Sequence, residues 1–182
     1  MSRSVWSVFL SATMTCVAAA AAQAVEPASV GIGRTATKAE IAGWDIDVRA
    51  DGKGLPEGRG SVQDGQKIYA ETCALCHGEK GEGKLADRLV GGDGTLDTTK
   101  PVRTVGSFWP YATTLFDYIR RAMPFNAPQS LSADQVYAVT TYVLHLNKIV
   151  PESTILDARS LAKVKMPNSD GFTSPDPRPD AP

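Results

Sequence analysis

Residues 73–77 read Cys-Ala-Leu-Cys-His, and no other stretch of this 182-residue chain limits its fold so tightly. Two cysteines three positions apart, with a histidine directly behind the second, form the attachment motif for a covalent porphyrin, haem c. The chemistry sets the spacing. Each thiol, Cys73 and Cys76, adds to one vinyl group, and both bonds have to be reached from one helical turn. His77 is then carried beneath the iron as its proximal ligand. A large flat apolar group held in this way implies electron transfer. Two other uses of the pentad were weighed. A redox dithiol of the thioredoxin kind needs a βαβ setting, and none is visible around residue 73. A structural zinc site needs four ligands, and beyond the motif the exported chain offers only His145 and carboxylates.

The N-terminus agrees with this chemistry. Arg3 gives a short positive region, an apolar run follows from Val5 to Ala22, and Ala22-Gln23-Ala24 has the small-x-small form of a cleavage site. The expectation is a signal peptide over 1–24, cleaved near Ala24, and a periplasmic product. An uncleaved run would be about long enough to anchor in a bilayer. Cleavage removes Cys16 and Arg3, leaving 18 basic against 20 acidic side chains, a net charge of −2. That balance excludes a strongly basic nucleic-acid-binding surface, so no nucleic acid is expected as a partner. No second apolar stretch is long enough to span a membrane, so none is expected after cleavage.

Four zones follow from composition and periodicity. Residues 1–24 are the signal peptide. Residues 25–60 form an N-terminal extension rich in Gly and charge, with one or two helical turns over Lys38 to Trp44. Residues 61–147 carry the strong periodicity and make the folded core. Residues 148–182 read as a largely irregular C-terminal extension. It has a short element around Ile155 to Val164, then five prolines from Met166 onward. Within the core, Ser61-Val62-Gln63-Asp64 resembles a capping box, opening a helix through Gly65, Ile68 and Tyr69 to the cysteines. Tyr111 to Ala122 is the next helix, with Leu115, Tyr118, Ile119 and Ala122 on one face. Ser132 and Gln135 cap the last helix, whose stripe is Val136, Val139, Tyr142, Val143 and Leu146. Gly65 and Tyr69 are expected to cross it at Val139 and Tyr142. The irregular stretch 78–107 is long for an ordinary domain, but a haem replaces the core it lacks.

Over residues 61–147 the chain resembles class I c-type cytochromes. The resemblance rests on Gly65 and Tyr69, Cys73-Ala74-Leu75-Cys76-His77-Gly78 and Gly81-Glu82-Gly83. It continues in Leu89 and Gly91, Met123-Pro124, and the helix from Leu131 to Leu146. It implies an all-α class I cytochrome c fold, helices and long loops wrapped around one covalent haem, here with extended terminal segments. One departure stands out. The family often has a proline two residues before the leucine that Leu89 matches, and its carbonyl orients the proximal histidine. Asp87 stands there instead, and its backbone carbonyl remains available to the His77 Nδ1 proton.

Further strings resemble the cytochrome subunit of sulfane dehydrogenase (SoxD type). They are Gly33-Arg34, residues 44–49 and 54–58, residues 104–111, residues 118–125, and residues 166–172. That resemblance implies service to a molybdenum-cofactor catalytic subunit of periplasmic sulfur oxidation. Some members have two haem domains; one motif here implies one haem.

Met123 is the expected distal ligand. It follows His77 by 46 residues, lies just past a helix and precedes Pro124. A soft thioether favours Fe(II), and it also fills the sixth position. Met166 and His145 are rivals. Arg103, Trp109 and Tyr111 are the candidate donors to the haem propionates, with Arg120 and Arg121 behind them. The expected function is a non-catalytic electron-transfer subunit. It takes electrons from a molybdenum-cofactor sulfur-compound dehydrogenase and passes them to another c-type cytochrome. The alternative is a free, diffusible periplasmic shuttle. A haem peroxidase would need an open distal site, which Met123 denies.

Overall fold

The computed structural model describes residues 32–173; the expected signal segment lies outside the described residues. Residues 32–36 contain no helix or strand and belong to a separate unit from the one that begins at Thr37. From Thr37 the elements are α1 (Lys38–Trp44), β1 (Arg59–Ser61), α2 (Val62–Thr72), α3 (Ala74–His77), α4 (Ala112–Ala122), α5 (Ala133–Leu146), β2 (Ile155–Asp157) and α6 (Ala158–Leu161). The unit is mostly helical. The all-α expectation is corrected by one small antiparallel sheet, β1 with β2, in which Gly60 stands opposite Leu156. Strands of three residues are too short to show alternation in sequence, and their pairing joins segments far apart in the chain.

Helix starts follow local chemistry. Ser132 Oγ accepts from the Gln135 N–H (3.3 Å) while Gln135 Oε1 accepts from the Ser132 N–H (2.8 Å), a complete capping box on α5. Ser61 Oγ accepts from the Asp64 N–H at 3.1 Å, and the Asp64 carboxylate returns to the Ser61 hydroxyl at 2.6 Å. Thr37 and Glu40 make a further box on α1.

α5 is the centre of the unit, and α2, α4 and both strands pack on it. Every side chain from Val136 to Leu144 is buried. A one-sided stripe is therefore too narrow a reading: Tyr137, Thr140, Thr141 and Leu144 are as buried as the stripe, because α5 is enclosed on several sides. The crossing with α2 occurs where Gly65 meets α5. A methyl group on Gly65 would overlap the Ala138 carbonyl, and the rings of Tyr69 and Tyr142 then lie 5.3 Å apart. On α4 the buried face is Ala112, Thr113, Leu115, Phe116 and Ile119. Tyr118, expected inside, is about half exposed, and Phe116 takes the central place against Tyr137, with ring centroids 4.4 Å apart.

The segment after residue 148 is more ordered than an irregular extension. It supplies β2 and α6, and it buries Leu156, Leu161 and Met166. It then returns to the stretch before α4. Tyr111 bridges Lys165, Asn168 Nδ2 donates to the Phe108 carbonyl at 2.7 Å, and Phe172 meets Phe108 edge-on at 5.2 Å. Its apolar residues are unevenly spaced, so they gave no periodic signal. Four of the five prolines that suggested an irregular tail lie beyond residue 173.

Candidate functional site

α2 delivers the cysteines. The Cys73 N–H still bonds the Tyr69 carbonyl (2.9 Å), and the next turn closes on Cys73, whose carbonyl accepts from Cys76 (3.1 Å) and His77 (3.0 Å). Cys73, Cys76 and His77 therefore share one turn, all three half-buried, and both cysteines are free. Gly78 ends the turn at φ +84°, a conformation that L side chains rarely adopt. Its carbonyl accepts the buried Tyr69 hydroxyl at 2.9 Å.

His77 Nδ1 lies 2.8 Å from the carbonyl oxygen of Asp87. A carbonyl only accepts, so this bond requires the proton on Nδ1 and leaves the Nε2 lone pair free to bind a metal. The Asp87 carbonyl thus reaches the His77 ring as expected, from a residue without the rigidity of proline. The loop beyond is tied to the turn itself. Gly83 N–H bonds the His77 carbonyl (2.7 Å), and the N–H groups of Leu85 and Ala86 both bond the Cys76 carbonyl (2.9 Å). Asn147, at the end of α5, donates from Nδ2 to the Leu89 carbonyl (3.1 Å) and to the Val143 carbonyl (2.9 Å). This anchor escaped the sequence reading; its only signal was an amide side chain directly after the apolar stripe. A knot of buried hydroxyls holds the next stretch: Thr104 Oγ1 donates to Gly91 O (2.6 Å) and Ser107 Oγ to Val102 O (2.7 Å).

Burial pushes the Cys73 thiol up, against a smaller opposing hydrogen bond from Thr72, and the neighbouring Cys76 adds to the rise. A catalytic dithiol shows the reverse, a depressed thiol. Burial, more than the nearby Cys73, also raises the Tyr69 hydroxyl, so it stays protonated and keeps donating.

Met123 sits at the C-cap of α4, its N–H bonded to the Ile119 carbonyl at 3.1 Å, and its peptide bond to Pro124 is cis. Like Cys73, Leu89 and Trp109, it is partly buried and packs against the core. Of the rivals, Met166 is 1% exposed inside that core, and His145, on α5, holds the Val150 carbonyl through Nδ1 at 3.1 Å.

The candidate propionate donors fall into two groups. Arg103 is exposed, its guanidinium 5.3 Å above the Phe108 ring. Trp109 meets Tyr118 edge-on at 5.8 Å, and Tyr111 is exposed at the start of α4. Arg120 and Arg121 are turned elsewhere: Arg120 donates to the Ile46 carbonyl, and Arg121 pairs with Asp47 and Asp117.

These residues fit a covalent porphyrin. A porphyrin brings four nitrogens of its own and asks the protein for axial ligands only. An imidazole with a free Nε2 and two free thiols on one turn answer that need. Among the described residues no three His, Cys, Asp or Glu side chains converge as a metal site. Leu75, on the turn, and Leu85 and Phe125, in the loops that follow His77 and Met123, are 69, 74 and 86% exposed.

Comparison with known proteins follows the same line. Residues 60–143 match the family described as cytochrome C oxidase, cbb3-type, subunit III. The crystal structure of the sulfane dehydrogenase SoxCD from Paracoccus pantotrophus is similar, with 43% identity and a TM-score of 0.76. The match covers 82% of this chain and 73% of that one. The thiosulfate dehydrogenase of Psychrobacter arcticus is 29% identical over 107 residues, covering 50% of this chain and 31% of the relative. That of Stutzerimonas stutzeri is 31% identical over 90 residues, covering 48% and 28%. This chain therefore spans less than a third of the length of either thiosulfate dehydrogenase.

Proposed function

This chain belongs to the c-type cytochrome family, and from that premise we propose that it is the monohaem, class I electron-transfer subunit of a periplasmic sulfur-compound dehydrogenase. A molybdenum-cofactor catalytic subunit gives it electrons, and another c-type cytochrome takes them. It is not itself the site of substrate chemistry.

The single observation that carries the reading is the extent of the likeness to SoxCD. A match over 82% of the chain is longer than residues 61–147 alone can supply, so it reaches into the terminal segments. Those segments are more than a bare cytochrome needs. α1 buries none of its residues and Trp44 at its end is 86% exposed, and we assign this exposed surface of the N-terminal extension to the catalytic subunit. The apolar run over 5–22 and the Ala22-Gln23-Ala24 site support export. Among the described residues no helix is long and apolar enough to cross a membrane.

Haem c, when bound, supplies a one-electron iron couple. The chain's own residues hold it. Cys73 and Cys76 form the thioethers. The Asp87 carbonyl keeps the His77 proton on Nδ1 and fixes the ring plane, so Nε2 is presented to iron. Tyr69 fastens Gly78 and so steadies the turn from behind. Met123 would supply a thioether ligand to the iron, which would raise its reduction potential and leave no place for oxygen or peroxide. Arg103, Trp109 and Tyr111 would be the donors to the propionates. No proton has to move at any of these atoms, which suits a carrier that changes charge with little rearrangement.

The test is native pull-down of the exported protein from its host, with haem and molybdenum assayed in the complex. Co-purification of both is the expected result. A haem-containing monomer with no molybdenum protein would favour the free shuttle instead.

A further inference from the structure

Residues 46–50 cross the outer side of α4 and are tied to it at every turn. Arg120 Nη1 donates to the Ile46 carbonyl (3.2 Å), Asp117 Oδ1 accepts the Val48 N–H (2.9 Å), and Thr113 Oγ1 donates to the Ala50 carbonyl (3.2 Å). As this segment advances from 46 to 50, its partners step back from 120 to 113. It runs antiparallel to the helix as a strap, with Val48 buried beneath it. A lock closes the strap. Arg121 grips Asp47 with one nitrogen and Asp117 Oδ2 (2.6 Å) with the other. The Asp117 side chain is 13% exposed, against 43% for Arg121 and 66% for Asp47, so its sheltered carboxylate is the inner end that joins strap backbone, helix and lock.

Arg121 stands two residues before Met123, and Asp117 one further turn back. The opposite face of α4 is fixed on α5 through Leu115, Phe116 and Ile119. A cleft of about 230 Å³, lined by Ile46, Pro56, Arg120, Gln129, Leu131 and Ala133, opens beside the strap and the end of α4. Met123, at the C-cap, is carried by the end of α4 through its N–H bond to the Ile119 carbonyl.

We propose that the 46–50 strap, locked by Asp47, Arg121 and Asp117, positions the end of α4 so that Met123 keeps the sixth coordination place closed. Arg121 and Asp117 are thus positioning residues, and the strap joins the N-terminal extension to the electronic properties of the site. This rests on Met123 being the distal ligand. An external ligand binds only while the methionine sulfur is away, so its apparent affinity reports the fraction of time the site stands open.

The experiment titrates the oxidised, full-length haem-loaded protein with imidazole while following the far-red sulfur-to-iron charge-transfer band. Arg121→Ala and Asp117→Ala are expected to bind imidazole about tenfold more tightly, the scale of one charge-assisted hydrogen bond, and to weaken the band. Arg121→Lys should restore part of the difference. Asp157→Ala removes the cap of α6, away from α4, and should leave both readouts at the unsubstituted values whatever it does to melting temperature. Asp47→Asn, at the exposed end of the lock, supplies the same test if Arg121→Ala fails to fold. Unchanged imidazole affinity and an intact band in the lock variants would overturn the strap while leaving Met123 in place. If the unsubstituted protein shows no such band and Met123→Ala binds imidazole no more tightly than it does, the ligand assignment falls, and the strap with it.

Discussion

His77 is oriented by a backbone atom, so the side chain at 87 is free to vary. Asp87→Ala is predicted to keep the visible spectrum of a histidine-ligated haem and to change stability by less than about 0.5 kcal/mol in a denaturant titration. Tyr69 is a different case. Its hydroxyl is the partner of a buried carbonyl, and Tyr69→Phe leaves that carbonyl without its bond. The expected loss is about 1–3 kcal/mol by the same titration. Residue-scale features were legible in proportion to how local their chemistry is. The spacing of Cys73, Cys76 and His77 is dictated by one molecule reached from one turn, so the sequence displays it openly. Met123 was reached through resemblance, because a lone methionine after a helix has no spacing rule of its own. Arg120 and Arg121 were read as secondary propionate donors; the i,i+4 partner Asp117 of Arg121 is local, but nothing in the local pattern shows that Ile46 and Asp47, more than seventy positions away, hold the two guanidinium groups.

Helix ends were the most readable feature at the scale of elements, since a cap is made by residues three apart. What each element touches was harder to see. α5 looks one-sided in sequence and is enclosed in the fold, because its extra neighbours, β1 and β2, are too short to announce themselves. Where glycine spacing matched a helix crossing, the reading held. Gly65→Ala should push α2 off the Ala138 carbonyl, cost about 1–3 kcal/mol and reduce haem incorporation, seen as a lower haem-to-protein ratio. On the other side of α5, burial, with a smaller push from the Asp157 charge, raises the Tyr137 hydroxyl from its ordinary 10.0 to about 12. The folded state thus holds this proton when the unfolded chain has lost it. Its contribution to stability is complete below pH 10 and is lost as pH rises from 10 to 12. Tyr137→Phe also loses the bond to the Pro56 carbonyl (2.8 Å), so it should be less stable at neutral pH. Its stability should then fall less steeply than that of the unsubstituted protein across that alkaline window.

For the molecule as a whole, the two segments flanking the haem-carrying helices do unlike things. Residues 46–60 and 148–172 are part of the fold, joined to α4, α5 and the 108–111 stretch by hydrogen bonds and buried apolar side chains. α1 buries nothing of its own. Removing residues 25–45 should therefore leave the spectrum and melting temperature of the haem protein intact, and should weaken its capture by the molybdenum subunit. Equal capture by the shortened and full-length proteins would remove that role from the extension. The part that 46–60 takes in the fold was not visible in sequence: residues 25–45 and 46–60 are both polar with several glycines, and the bonds of 46–60 to α4 and α5 join positions far apart in the chain.

The claim that a porphyrin is fastened to this polypeptide through two thioether bonds is tested most directly by intact mass and peptide mapping of the exported protein, made where c-type maturation is active. The expected result is one iron porphyrin per chain, on a peptide containing both Cys73 and Cys76, with neither thiol open to alkylation. A product with the polypeptide mass alone and two alkylatable thiols would contradict it.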